Sequence, residues 1–308
     1  MSNQTSAAAK DEQPPFESAD AGALLRGSDA LAPREAGQVL ARAQGRVVVW
    51  VGERGTGKTT LNCELYERQR RPKSDSRFAG SQTLLAFEQR AHSSRAASGR
   101  TVPETQRTEQ DLERRDLLHL ALGRDKASIV HLFLSDLPGE VFTQLRDNTI
   151  SVDDVPLLGR ADKLALIADG RRLADVQARP LVVSGLRQLL ARLCQGGLPH
   201  PATELALIVT MWDLVCGDAA AEGYWRAREA DLHENVRAVD PGAPLLKVAA
   251  RARSDWRQDD GMTHLRSWLL EAGSAVPDPA LSVPDWPESA PPLLRQPKWV
   301  SHESRAPR

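Results

Sequence analysis

The chain has 308 residues, 41% hydrophobic and 26% charged, an ordinary globular composition with length for one large domain or two small ones. Forty basic residues against forty-one acidic ones leave a net charge of −1, so no global field favours nucleic acid or an anionic membrane, and neither is an expected partner. The three cysteines, Cys63, Cys194 and Cys216, are far apart, which argues against a disulfide framework or a zinc knuckle; with no export signal or spanning stretch, a cytoplasmic location is expected.

Residues 1–32 are rich in Ser, Ala, Gln, Asp and Pro and read as a disordered lead, because they offer few large apolar groups to offset the entropy of ordering. A short helix follows over Pro33–Ala43, then a strand over Arg46–Val51 and a helix from Lys58 to about Gln69 with Leu61 and Leu65 at i, i+4. Further strands are expected at Leu117–Leu122, Ile129–Ser135, Leu164–Ala168, Leu205–Thr210 and Leu245–Ala249, most of them continuous apolar runs of the kind buried on both faces. Helices fall between them. One gathers Val182, Leu186, Leu189, Leu190 and Leu193 on one side, a second aligns Trp225, Leu232 and Val236, and the last is Met262–Leu270. Residues 273–308 carry eight prolines and read as a disordered tail. The alternation over 33–272 predicts an α/β fold with a doubly wound, mostly parallel sheet.

Gly52-Glu53-Arg54-Gly55-Thr56-Gly57-Lys58-Thr59 fits the phosphate-loop pattern G-x-x-x-x-G-K-[ST], placed as the pattern requires between a strand and a helix. Gly52, Gly55 and Gly57 let the backbone fold round a phosphate with its N–H groups inward. Lys58 bridges the outer phosphates, the Thr59 hydroxyl ligates Mg²⁺, and Thr60 completes the group at the helix N-terminus. A second landmark, Asp136-Leu137-Pro138-Gly139-Glu140, ends the strand Ile129–Ser135; there an aspartate reaches Mg²⁺ through water and the Gly139 N–H meets a γ-phosphate. This D-x-x-G resembles the switch motif of GTPases. Thr210-Met211-Trp212-Asp213 stands where GTPases carry [NT]-K-x-D, and the Asp213 carboxylate can accept from guanine N1–H and N2–H₂, a donor pair that adenine lacks. Met211 departs from the family lysine. Val248-Ala249-Ala250-Arg251 looks like the loop whose alanine N–H meets guanine O6, which points to Ala250.

These four motifs, in the family's order, make the chain similar to translation-factor-related GTPases across residues 46–272. Within that class it resembles the bacterial double-GTPase family. The residues that carry this likeness are Gly80-Ser81-Gln82-Thr83-Leu84 with Phe87-Glu88, Pro103-Glu104-Thr105-Gln106-Arg107, Leu134 to Glu140, and Ala161-Asp162-Lys163. The resemblance implies a phosphate-loop GTPase fold, GTP with Mg²⁺, and work beside a second GTPase in bacterial signalling or conflict systems.

Residues 70–115 form a long insertion between the phosphate-loop helix and the next expected strand, where a nucleotide switch carries its first mobile lid. Thr105 is the first choice for its Mg²⁺-binding threonine, with Thr83, Thr101 and Thr108 as rivals. Glu140 stands where many GTPases have a water-orienting Gln; it polarises water there or is a solvent-facing acid. Nine basic residues against four acidic ones over 67–107 read as a solvated or partner-docking face, within which any arginine is a candidate internal finger. His119 and His131 read as packed rather than ligating, and Cys63 as a small core residue. Beside GTP hydrolysis stand two alternatives: a module that binds GTP or GDP without turnover, and an ATP-using phosphate-loop enzyme, favoured only by Met211.

Overall fold

The computed structural model describes residues 24–25, 30–70, 77–92, 117–123, 128–253, 256 and 258–271. In chain order the elements are β1 (Leu24–Leu25), α1 (Pro33–Leu40), β2 (Gly45–Val51), α2 (Lys58–Gln69), β3 (Phe78–Ser81), α3 (Leu84–His92), β4 (Leu117–Gly123), β5 (Ile129–Ser135) and α4 (Gly139–Arg146). There follow α5 (Pro156–Gly159), β6 (Lys163–Asp169), α6 (Gly170–Ala174), α7 (Arg179–Gln195), β7 (Glu204–Thr210), α8 (Trp212–Cys216), α9 (Ala219–Arg237), β8 (Leu245–Lys247) and α10 (Met262–Leu270).

The strands make one sheet in the order β1-β3-β4-β5-β2-β6-β7-β8. From β5 to β8 every pairing is parallel, whereas β4 runs antiparallel to both β5 and β3. The run Val47 to Val51 is wholly buried because β2 lies in the middle of the sheet with helices on both faces. Alternate side chains feed two cores. Val47, Val49 and Val51 pack with Phe142 of α4, Leu186 and Leu189 of α7 and Trp225 of α9. Val48 and Trp50 pack with Leu61 and Leu65 of α2, Phe87 of α3 and Leu265 of α10. The expected doubly wound, mostly parallel α/β sheet is therefore the observed one. Among the described residues no helix is long and apolar enough to cross a membrane.

Three details differ from the sequence reading. Leu31, expected within the lead, is buried and exchanges two backbone hydrogen bonds of 2.9 Å with Leu117, while Leu24–Leu25 pairs with β3; sheet edges recruit segments whose own composition is weak. The 70–115 insertion contains a strand and a helix, β3 and α3, which extend the sheet and pack on α2. The last strand stops at Lys247 because Val248, after donating to the Val209 carbonyl, turns its own carbonyl to the Trp212 N–H. The expected tail, 273–308, lies outside the described residues.

Candidate functional site

The phosphate loop leaves the C-terminal end of β2 and enters α2 at Lys58. Gly55 (φ 81°) and Gly57 (φ 91°) hold left-handed conformations that an L side chain rarely adopts. The N-terminus of α2 carries no side-chain cap, and its positive end faces the loop. Lys58 is buried, and Nζ donates to the carbonyls of Gly52 at 2.7 Å and Glu53 at 3.0 Å. Burial pulls its pKa down to about 8, against the opposing pull of Asp136, Glu140 and Glu53. An anion in the loop removes that penalty.

Asp136 follows the last residue of β5 and turns back to the loop: the Thr59 hydroxyl donates to Asp136 Oδ1 at 2.9 Å. Arg90 Nε donates to the other oxygen at 2.6 Å. A hydroxyl and a carboxylate brought together from two elements are the hard oxygen donors that Mg²⁺ takes, so this pair fits the metal. Gly139 opens α4 against the loop, where a Cβ would overlap the backbone of Arg54 and Glu53. Glu140 pairs with Arg54 at 3.5 Å. Glu53 is bound by Arg146 of α4 and by Arg172 of α6, the latter at 2.8 Å, so the loop is clamped to both helices.

The third motif separates into two roles. The Thr210 hydroxyl lies 2.8 Å from the Thr56 carbonyl and 3.2 Å from that of Ala168, which ties the end of β7 to the phosphate loop. Gly170 lets the start of α6 lie against the end of β7, since a Cβ there would overlap the Thr210 carbonyl. Met211 is left-handed (φ 49°), and the chain then enters α8 with Asp213 buried in its first turn. Asp213 Oδ2 accepts from the Arg253 N–H at 3.1 Å, and the Trp212 N–H donates to the Val248 carbonyl at 3.1 Å. The 248–253 segment, Ala250 included, is thereby laid against Asp213.

The structure thus brings Gly52, Gly55, Gly57, Lys58, Thr59, Thr60, Asp136, Gly139 and Glu140 around one loop, with Asp213 and Ala250 at the neighbouring strand ends. Thr105, Thr101 and Thr108 lie outside the described residues. Thr83 is fully buried and accepts from the His119 N–H at 2.9 Å, so its hydroxyl is committed to the fold. Arg90 was present in the sequence only as one of many basic residues. No local pattern singles it out: its direction follows from the packing of α3 on α2, where Tyr66 and Phe87 stack.

A mostly parallel sheet with the loop, the Asp136 turn and the Asp213 turn at the carboxyl ends of its parallel strands defines the phosphate-loop GTPase class. Residues 46–269 match the family model described as Double-GTPase 2, and the chain belongs to that double-GTPase family. No curated protein matches the chain.

Proposed function

We propose that the chain is a GTP-binding switch that hydrolyses GTP slowly to GDP and phosphate, working in the cytoplasm beside a protein partner such as a second GTPase. The observation that carries this reading is the hydrogen bond between Thr59 and Asp136, which joins the phosphate-loop helix to the D-x-x-G turn at one point. Thr59 and Asp136 would hold Mg²⁺, which when bound would supply positive charge to the phosphates. Lys58 offers a second cation, and the N–H groups of the loop and of Gly139 receive phosphate oxygens. Asp213 reads the guanine N1–H and N2–H₂, Ala250 N–H meets O6, and Thr210 keeps the loop at a fixed distance from that reader. The 70–115 insertion, with Thr105 as the first-switch threonine, and the Asp136 turn are the segments that respond to the γ-phosphate.

A second reading, binding without turnover, is favoured by Glu140: its carboxylate pairs with Arg54, and beside a γ-phosphate it adds negative charge. Single-turnover release of phosphate from GTP with Mg²⁺ separates the two readings. Magnesium-dependent release from GTP and none from ATP supports hydrolysis; tight GTP binding with no release supports the module; release from ATP alone overturns both.

A further inference from the structure

Arg90 projects from α3, a helix within the segment that joins the phosphate-loop helix to β4. Its guanidinium Nε lies 2.6 Å from Asp136 Oδ2, while Oδ1 of the same carboxylate takes the Thr59 hydroxyl. The two side chains are 19% and 2% exposed, so water screens this ion pair little. A second guanidinium nitrogen donates to the Ala86 carbonyl at 3.3 Å. The helix that carries Arg90 is anchored on α2: Tyr66 and Phe87 stack with ring centres 4.9 Å apart, the Tyr66 hydroxyl bonds Glu88, and Arg70 pairs with Glu88 at 3.0 Å. The root of Arg90 is therefore fixed relative to the phosphate loop, and among the described residues its guanidinium is held only by Asp136 and the Ala86 carbonyl.

We propose that Arg90 is a built-in competitor of the divalent cation, its guanidinium and the metal contending for the Asp136 carboxylate, so that metal entry releases Arg90 from the turn. The proposal rests on the reading of Thr59 and Asp136 as the metal pair. Two cations within contact distance of one carboxylate repel each other, so a metal that draws on Asp136, directly or through its water, weakens the short guanidinium bond on the other oxygen. Without metal, Arg90 neutralises Asp136 and keeps an acid beside the phosphates from opposing them. With metal, the guanidinium is released at the C-terminal turn of α3, two residues before the helix ends at His92.

The test is Mn²⁺ binding, followed by the electron paramagnetic resonance signal of free Mn²⁺, to the full chain saturated with GDP. Arg90→Gln and Arg90→Met both remove the charge while keeping an unbranched chain of similar length. Each is expected to bind Mn²⁺ about tenfold more tightly than the parent, the equilibrium equivalent of losing one competing charge-assisted hydrogen bond. Unchanged or weaker Mn²⁺ affinity in whichever variant keeps the parent's thermal transition overturns the proposal while leaving the metal pair in place. A parent that binds GDP but no Mn²⁺ overturns the metal pair and this proposal together.

Discussion

The α-carbon of Gly139 lies against the backbone of Arg54, so closely that a methyl group on it would overlap the Arg54 amide nitrogen and α-carbon. The D-x-x-G turn and the phosphate loop are therefore one packed unit, and Gly139 is their closest backbone approach. Gly139→Ala should force them apart, with a loss of about 1 to 3 kcal/mol in unfolding free energy, as for other overpacked contacts. Nucleotide affinity should fall with it. Gly37 of α1 is the control, since its Cβ would meet nothing within 4 Å; Gly37→Ala should stabilise by about 0.5 to 1 kcal/mol. Urea unfolding of the two variants checks both signs, and equal behaviour would show that the contact at Gly139 carries no constraint.

Lys58 gives a proton signature for phosphate binding. Its pKa in the free protein is pulled to about 8 by burial, below the ordinary lysine value, so the folded chain binds fewer protons than the unfolded one between pH 8 and about 10.5. Stability of the free protein should rise with pH across that window. Phosphates in the loop favour the ammonium, so nucleotide binding should take up protons, and more at pH 8 than at pH 7. Calorimetric titration in buffers of different ionisation enthalpy measures this. Proton release, or uptake that does not grow with pH, would place the phosphates away from Lys58.

A histidine pair joins β4 to β5 away from the loop. His119 Nδ1 accepts from the Gln82 N–H at 2.9 Å, which puts the ring proton on Nε2, where it donates to His131 Nδ1 at 2.9 Å. Burial, and then the neighbouring His131, hold the His119 pKa at about 3, and burial lowers that of His131 as well. Both rings are neutral in the folded chain. Their contribution is complete above the ordinary histidine value and is lost as pH falls below it, by at most about 1.4 kcal/mol per pH unit for His119. His119→Asn keeps an acceptor for Gln82 and removes the titration, so unfolding free energies at pH 7, 6 and 5 should decline less steeply in the variant than in the parent.

Much of this arrangement is legible in the amino-acid order. Runs such as Val47 to Val51 and Leu205 to Thr210 allow only buried strands, and the spacing of Gly52, Gly57 and Lys58 has one common structural solution. Helices α2 and α10 fall on the residues that their apolar spacing marks. What escapes is what depends on partners distant in sequence. β3 is four residues long and pairs only because β4 offers an edge, and Leu31 is buried only because Leu117 faces it. The direction of Arg90 follows from the stacking of α3 on α2, which no local pattern encodes. Thr210 reads as a ligand-facing group by analogy of position, yet its hydroxyl is engaged by the carbonyls of Thr56 and Ala168.

The proposed recognition of guanine turns on Asp213. Its Oδ2 already accepts the Arg253 N–H at 3.1 Å, a bond that an asparagine oxygen can keep while its amide faces the base. Asp213→Asn should therefore preserve the fold and set a donor against the guanine donors, weakening GTP by about 2 to 4 kcal/mol, or roughly thirty- to a thousandfold. Xanthine carries a carbonyl where guanine has its amine, so the variant should gain XTP binding, and ATP should bind poorly to both proteins. The deciding measurement is the affinity of parent and Asp213→Asn for GTP, XTP and ATP with Mg²⁺. A switch from GTP to XTP is the expected result, and a parent that prefers ATP, or a variant whose GTP affinity is unchanged, would contradict guanine recognition at this site.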